Sequence, residues 1–291
     1  MTRRALAALA LFVSTALLAP SAAAAPGGPD KPDRHDKPGR AMGWYLALGD
    51  SLAAGYQPGL GDDKTGGYVG RVLADVRAES PKTTLVSLAC SGETTVTLLA
   101  GGICAYRHGS QLAQAVDFLE DHARFTRLVT IDVGANDITG CAASGTLEQG
   151  CVVATVGRVA TNLAAALSAI RAVAPEVPIV VLDYYDPFLA AWLTGPSGQE
   201  LATASVAAAG AFNGAIAAVA GRARARVALV SAAFETSTWA PDAATGLPTN
   251  VARICAWTWM CSLGDIHAND AGYAVLARTV AGVRRAASAA A

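Results

Sequence analysis

Three short stretches put reactive or hydrogen-bonding side chains directly after apolar runs, and a fourth does so just before the last helix. Gly49-Asp50-Ser51-Leu52, with Gly55 shortly beyond, presents a serine hydroxyl on a glycine-flanked turn. Cys90-Ser91-Gly92-Glu93-Thr94 supplies a glycine where the backbone can approach a substrate closely and aim an N–H. Gly134-Ala135-Asn136-Asp137 supplies a side-chain amide, and Gly264-Asp265-Ile266-His267 an acid and a base. Together these residue types can perform acyl transfer. A serine hydroxyl is a poor nucleophile until an imidazole takes its proton. The tetrahedral oxyanion then needs preorganised donors, each worth roughly 3 kcal/mol of barrier. Taken singly, each stretch has a plain structural use, because Gly-Asp-Ser is a common turn and Asn-Asp after a strand commonly caps a helix. Their succession, with His267 last, points instead to a site.

The elements between them explain how such distant residues would meet. Trp44–Leu48, Thr84–Leu88, Leu128–Val133, Ile179–Asp183 and Val227–Val230 are short, mainly apolar runs that read as strands. Tyr68–Glu79, Ser110–His122, Val152–Ala174, Gln199–Ala223 and Asp270–Ala287 read as helices. Strands separated by helices imply right-handed crossovers and a parallel sheet covered on both faces. Ligands bind such sheets at the carboxyl ends of the strands, where the first three stretches fall, while the fourth lies just before the last helix.

On these residues the chain resembles the SGNH (GDSL) hydrolase superfamily. Gly49-Asp50-Ser51-Leu52 with Gly55 matches its first block, Gly92 its second and Gly134-x-Asn136-Asp137 its third. His267, followed by Asn269-x-x-Gly272, matches the last. The blocks span residues 45–273, and the form is similar to secreted actinobacterial esterases and lipases. The Gly-x-Ser-x-Gly elbow of ordinary α/β-hydrolases is absent. The resemblance implies a three-layer α/β/α sandwich, flavodoxin-like, around a mostly parallel five-stranded sheet. It also implies a serine esterase or lipase that forms an acyl-enzyme. Ser51 would be the nucleophile and His267 the general base. The Ser51 N–H, the Gly92 N–H and the Asn136 amide would form the oxyanion hole. The family usually writes Asp-x-x-His, whereas Asp265 precedes His267 by only two residues. Either Asp265 reaches the ring from a shifted loop, or a carbonyl such as that of Gly264 orients it. Alternatives in substrate and class are a carbohydrate acetyl esterase and a non-catalytic binding protein on the same fold.

Other candidates carry blander readings. Asp50, adjacent to Ser51, is poorly placed to hold the far side of the imidazole and reads as a loop-fixing acceptor. His108 and His122 read as solvated surface residues. Tyr184, Tyr185, Phe188 and Trp192, with Trp257, Trp259 and Met260, either line an acyl pocket or cover core. No phosphate-cradling loop and no metal-ligand spacing is present, so neither cofactor nor metal is expected.

Composition sets the compartment and the partners. Arg3 and Arg4, the apolar run Ala5–Leu18 and Ala23-Ala24-Ala25 read as a secretory signal over residues 1–25, the alternative being a retained membrane anchor, for which the run is short. Residues 26–42, rich in Pro, Gly and charge, read as a solvated linker, His35 included. Residues 43–291 then form a single domain. Export places Cys90, Cys104, Cys141, Cys151, Cys255 and Cys261 where disulfides persist. Of about 15 possible pairings, sequence proximity favours 90–104, 141–151 and 255–261. With 53% hydrophobic residues, 15% charged residues and a net charge of -1, the chain is neither disordered nor a nucleic-acid binder. The expectation is a secreted monomer acting on a small-molecule or lipid ester, with no stable membrane insertion once the signal is cleaved.

Overall fold

The computed structural model of the protein describes residues 42–141 and 148–289. The expected signal and the linker, apart from an exposed Met42, lie outside the described residues. Among the described residues five strands, β1 (Gly43–Gly49), β2 (Thr83–Ser87), β3 (Thr126–Asp132), β4 (Ile179–Leu182) and β5 (Arg226–Ala228), pair in the order β2-β1-β3-β4-β5. Every pairing is parallel. The flavodoxin-like order follows, with its switch point between β1 and β3. All four residues of β4 are buried, as are six of the seven in each of β1 and β3, which is why those runs read as mainly apolar.

Among the described residues ten α-helices surround the sheet. They are α1 (Gly67–Glu79), α2 (Thr95–Ala100), α3 (Gln111–His122), α4 (Ala135–Ile138), α5 (Gln149–Val173), α6 (Pro196–Arg222), α7 (Val230–Ala233), α8 (Thr249–Trp257), α9 (Met260–Leu263) and α10 (Asp270–Ala289). A 3-10 stretch, Pro187–Thr194, links β4 to α6. From β1 the chain first steps outward to β2 and then reverses, so right-handed crossovers place α1 on one face and α3, α5 and α6 on the other. The packing agrees: α3 touches α5 and α5 touches α6, while α1 packs on α10. Arg284 of α10 clasps Asp75 and Glu79 of α1, at 2.7 and 2.6 Å. By length and composition α5 and α6 could each cross a bilayer, but both lay one side on their neighbours, α5 burying Val159, Leu163, Leu167 and Ile170.

Of the expected surface histidines, His108 lies beside Asp117 and is partly exposed, its Nε2 3.3 Å from the carboxylate. His122 departs from expectation. Its ring stacks on Phe118 (centroids 4.4 Å, planes 4° apart), meets the edge of Trp44 at 5.2 Å, and bonds the Phe118 carbonyl through Nδ1. The acidic neighbours Glu120 and Asp121 disguised an i,i+4 aromatic pair on the inner side of α3.

Candidate active site

The turn after β1 presents Ser51. Gly49 closes the strand with φ +139°, and a Cβ there would stand 1.8 Å from Asp132 Oδ1, so only glycine lets β1 lie so near β3. The Asp50 N–H then donates to the Asp132 carbonyl at 2.9 Å. Buried Asp50 accepts from the Leu52 N–H at 3.0 Å and the Tyr184 hydroxyl at 2.8 Å, the loop-fixing role expected of it. Desolvation raises its pKa to about 6.

The loop after β2 carries Gly92, whose φ of +84° belongs to the left-handed region. Two residues that sequence reasoning missed hold this loop. Buried Gln111 accepts from the Gly49 N–H at 2.6 Å and donates to Glu93 Oε2 at 2.8 Å. Glu93 in turn accepts from the Tyr106 hydroxyl at 3.2 Å. The only sequence signal for Gln111 was a polar side chain following the Ser110 N-cap, which alone does not distinguish buried from exposed. After β3, Asn136 donates through Nδ2 to the Glu93 carbonyl at 2.9 Å, and among the described residues its second amide hydrogen is uncommitted. Asp137 accepts from the N–H and hydroxyl of Thr95, tying α4 to α2.

His267 arrives between α9 and α10. Its Nε2 lies 2.8 Å from Ser51 Oγ and its Nδ1 2.6 Å from Asp265 Oδ1. An ionised carboxylate only accepts, so Nδ1–H donates to Asp265 and the Nε2 lone pair faces the serine hydroxyl. The Tyr56 ring covers the imidazole, with centroids 4.3 Å apart. Ser51, Asn136 and His267 line one cleft that is partly open to solvent. Asp265 stands behind His267, outside the lining. Gly92 is also outside it, joined to the group through Glu93 and Asn136.

The cleft wall is mostly apolar. Tyr184, Tyr185 and Phe188 line it as one of the two expectations had it, whereas Trp192, Trp257, Trp259 and Met260 do not. Trp192 packs on Trp239 at 5.2 Å, and Trp257 meets Phe234 edge-on at 5.1 Å. The part of the wall formed by Ser205, Ala208, Ala209 and Phe212 of α6 was not anticipated. Asp186 also lines the cleft. Desolvation raises its pKa to about 6, and it accepts from Ser205 Oγ at 2.6 Å and the Phe188 N–H at 3.0 Å.

All six cysteines are bridged, 90–104, 141–151 and 255–261, as proximity suggested. Each bridge borders a loop of the site.

The GDSL-like lipase/acylhydrolase family profile matches residues 47–275. The chain belongs to that family. No curated protein matches the sequence. Solved structures share the family fold. An extracellular lipase from Streptomyces rimosus is 22% identical with a TM-score of 0.56, over 83% of this chain and 99% of that one. The lipase Lip_vut3 from a goat rumen metagenome is 18% identical with a TM-score of 0.54, over 83% and 98%. The acetylxylan esterase Axe2 from Geobacillus stearothermophilus is 17% identical with a TM-score of 0.50, over 83% and 94%. In this GDSL-like chain, as in those structures, helices flank both faces of the sheet.

Proposed function

We propose that the protein is an exported serine ester hydrolase that cleaves carboxylic esters of apolar acyl groups through an acyl-enzyme. The observation that carries this reading is the continuous line from Asp265 Oδ1 through both ring nitrogens of His267 to Ser51 Oγ, at 2.6 and 2.8 Å. In the first half-reaction Ser51 Oγ attacks the ester carbonyl while its proton passes to His267 Nε2. Asp265 holds the ring in the reactive tautomer and stabilises the imidazolium. The oxyanion is received by the Ser51 N–H, the Gly92 N–H and the free Asn136 amide hydrogen. Among the described residues neither backbone N–H has a protein acceptor, which supports that assignment. Collapse expels the alcohol, which takes the proton from His267. Water then adds to the acyl-enzyme with His267 again as base, releasing the acid and regenerating Ser51.

The apolar wall of Phe188, Phe212, Ala208 and Ala209 favours an aliphatic acyl chain over a sugar-borne acetyl group. Three disulfides and the basic-then-apolar N-terminus favour export. The test is hydrolysis of p-nitrophenyl esters of graded chain length by wild type and Ser51→Ala. Turnover by the wild type that drops to background in Ser51→Ala, a loss of about 10⁵-fold or more, with a rate maximum beyond acetate, is expected. Equal rates for the two proteins would end the enzyme reading, and a maximum at acetate would favour the acetyl esterase.

A further inference from the structure

Ser51 and His267 reach their 2.8 Å contact from loops 216 residues apart in sequence, so the contact depends on what fastens one loop to the other. We propose that Gln57 is a positioning residue for His267, its side-chain amide clamping the histidine loop to the serine turn. This rests on the reading of Ser51 and His267 as nucleophile and base.

The histidine loop is a short two-ply structure. Thr258 pairs with Ala268 in an antiparallel bridge, the Trp259 N–H donates to the His267 carbonyl at 2.9 Å, and the Asn269 N–H donates to the Trp257 carbonyl at 3.0 Å. Gln57 grips both plies with one planar group. Its Oε1 accepts from the Trp259 indole N–H at 2.7 Å, and its Nε2 donates to the Ala268 carbonyl at 3.1 Å. Those two partners flank His267, one as its backbone neighbour across the bridge and the other as the next residue.

The other end of the clamp is equally fixed. Gln57 exchanges backbone hydrogen bonds with Gly61, both at 2.9 Å. The preceding Tyr56 donates its N–H to the Ser51 carbonyl at 3.0 Å and lays its ring on the imidazole. Its own carbonyl accepts from the Tyr273 hydroxyl at 2.9 Å. Serine, ring cover and clamp are thus consecutive parts of one turn. Only an amide suits the task, because it accepts and donates from adjacent atoms. A carboxylate at this position would set oxygen against the Ala268 carbonyl.

The test compares Gln57→Met, which keeps side-chain length without either hydrogen bond, and Gln57→Glu with the wild type. Active sites are titrated with a fluorophosphonate ester. Loosening the imidazole by about an ångström costs up to 10²-fold, so kcat per titrated site should fall about 10- to 100-fold in both variants. KM for a p-nitrophenyl ester should stay within about twofold, because the interaction lost acts in the transition state. The low-field proton signal of His267 Nδ1, assigned by its absence in His267→Ala, should broaden. Should Gln57→Met fail to fold, Trp259→Phe removes one grip alone and should lower kcat in the same direction. Wild-type kcat per titrated site in the folded variants, or a fall in kcat with the Nδ1 signal still sharp, overturns the clamp. Ser51→Ala separates the two levels: its inactivity with an unaffected Gln57→Met removes the clamp alone, whereas its activity removes the serine mechanism itself.

Discussion

Asp265 Oδ1 accepts two hydrogen bonds from His267, one from the backbone N–H at 2.9 Å and one from ring Nδ1 at 2.6 Å. The short spacing of acid and base is met by turning the intervening chain so that a single oxygen caps both donors. A two-residue spacing thus still brings the carboxylate to Nδ1. A consequence is that asparagine, keeping Oδ1, can preserve both contacts while losing the charge.

Asp265→Ala should lower kcat by about 10⁴-fold, in line with removal of a triad acid. Asp265→Asn should lie between Ala and wild type, because tautomer and ring angle survive and only stabilisation of the imidazolium is lost. Steady-state kinetics of the pair check this. Equal losses would mean that the second bond contributes nothing to ring placement.

Asn136→Ala should reduce kcat by about 10²- to 10³-fold, the usual effect of deleting an oxyanion donor. KM for small esters should change little. Asn136 also donates to the Glu93 carbonyl, so the thermal midpoint should drop somewhat as the Gly92 loop loosens. Kinetics and a melting curve on the same preparation separate the two contributions.

The Cys255–Cys261 bridge closes a loop of 6 residues beside the histidine loop. The chain-entropy account gives such a loop about 2 kcal/mol. The double variant Cys255→Ser/Cys261→Ser should therefore melt earlier while retaining its far-UV CD. It should also lose about tenfold in kcat, because a base displaced by a fraction of an ångström is misaligned with its nucleophile. A melting shift with unchanged kcat would confine the bridge to stability.

Asp186 is buried with its pKa raised to about 6 by desolvation, above its value in the unfolded chain. The folded state therefore holds this proton more tightly, and the group favours folding most below about pH 4, where both states are protonated. That advantage is lost as pH rises through about 6. In Asp186→Asn it vanishes, so the stability difference between variant and wild type should shift in the variant's favour by up to about 3 kcal/mol between pH 4 and 7. Urea denaturation at both pH values measures it, and a constant difference would show that the carboxyl titrates normally.

How legible each part was depends on what selects it. The central strands announced themselves because they are buried on both faces, leaving Leu46–Leu48 and Ile179–Leu182 without a polar residue. The site blocks were legible because reaction chemistry restricts residue type more tightly than packing does. The short helices α2 and α8 were not seen, since six and nine residues give too few turns for a periodic signal. Gln111, Glu93 and Gln57 were missed for another reason. Their roles come from pairings over 18 to 211 residues of sequence, and nothing local marks a polar side chain whose partner is that remote.

The α6 wall was obscured by alanine, which suits surface and interior alike. Ser205, Ala208, Ala209 and Phe212 nevertheless follow the i, i+3, i+4, i+7 spacing of one helix face. Because Ala208 and Ala209 spend so little volume, the cleft beside Ser51 has room for an acyl chain. Ala209→Phe should fill that room without touching Ser51, Asn136 or His267. We expect kcat/KM for p-nitrophenyl octanoate to fall about tenfold or more, since each methylene denied burial forfeits about 0.8 kcal/mol. The acetate ester, whose acyl group needs no such space, should be hydrolysed at nearly the wild-type rate. A uniform loss across chain lengths would place the acyl chain elsewhere and leave the aromatic side, Tyr184, Tyr185 and Phe188, to receive it.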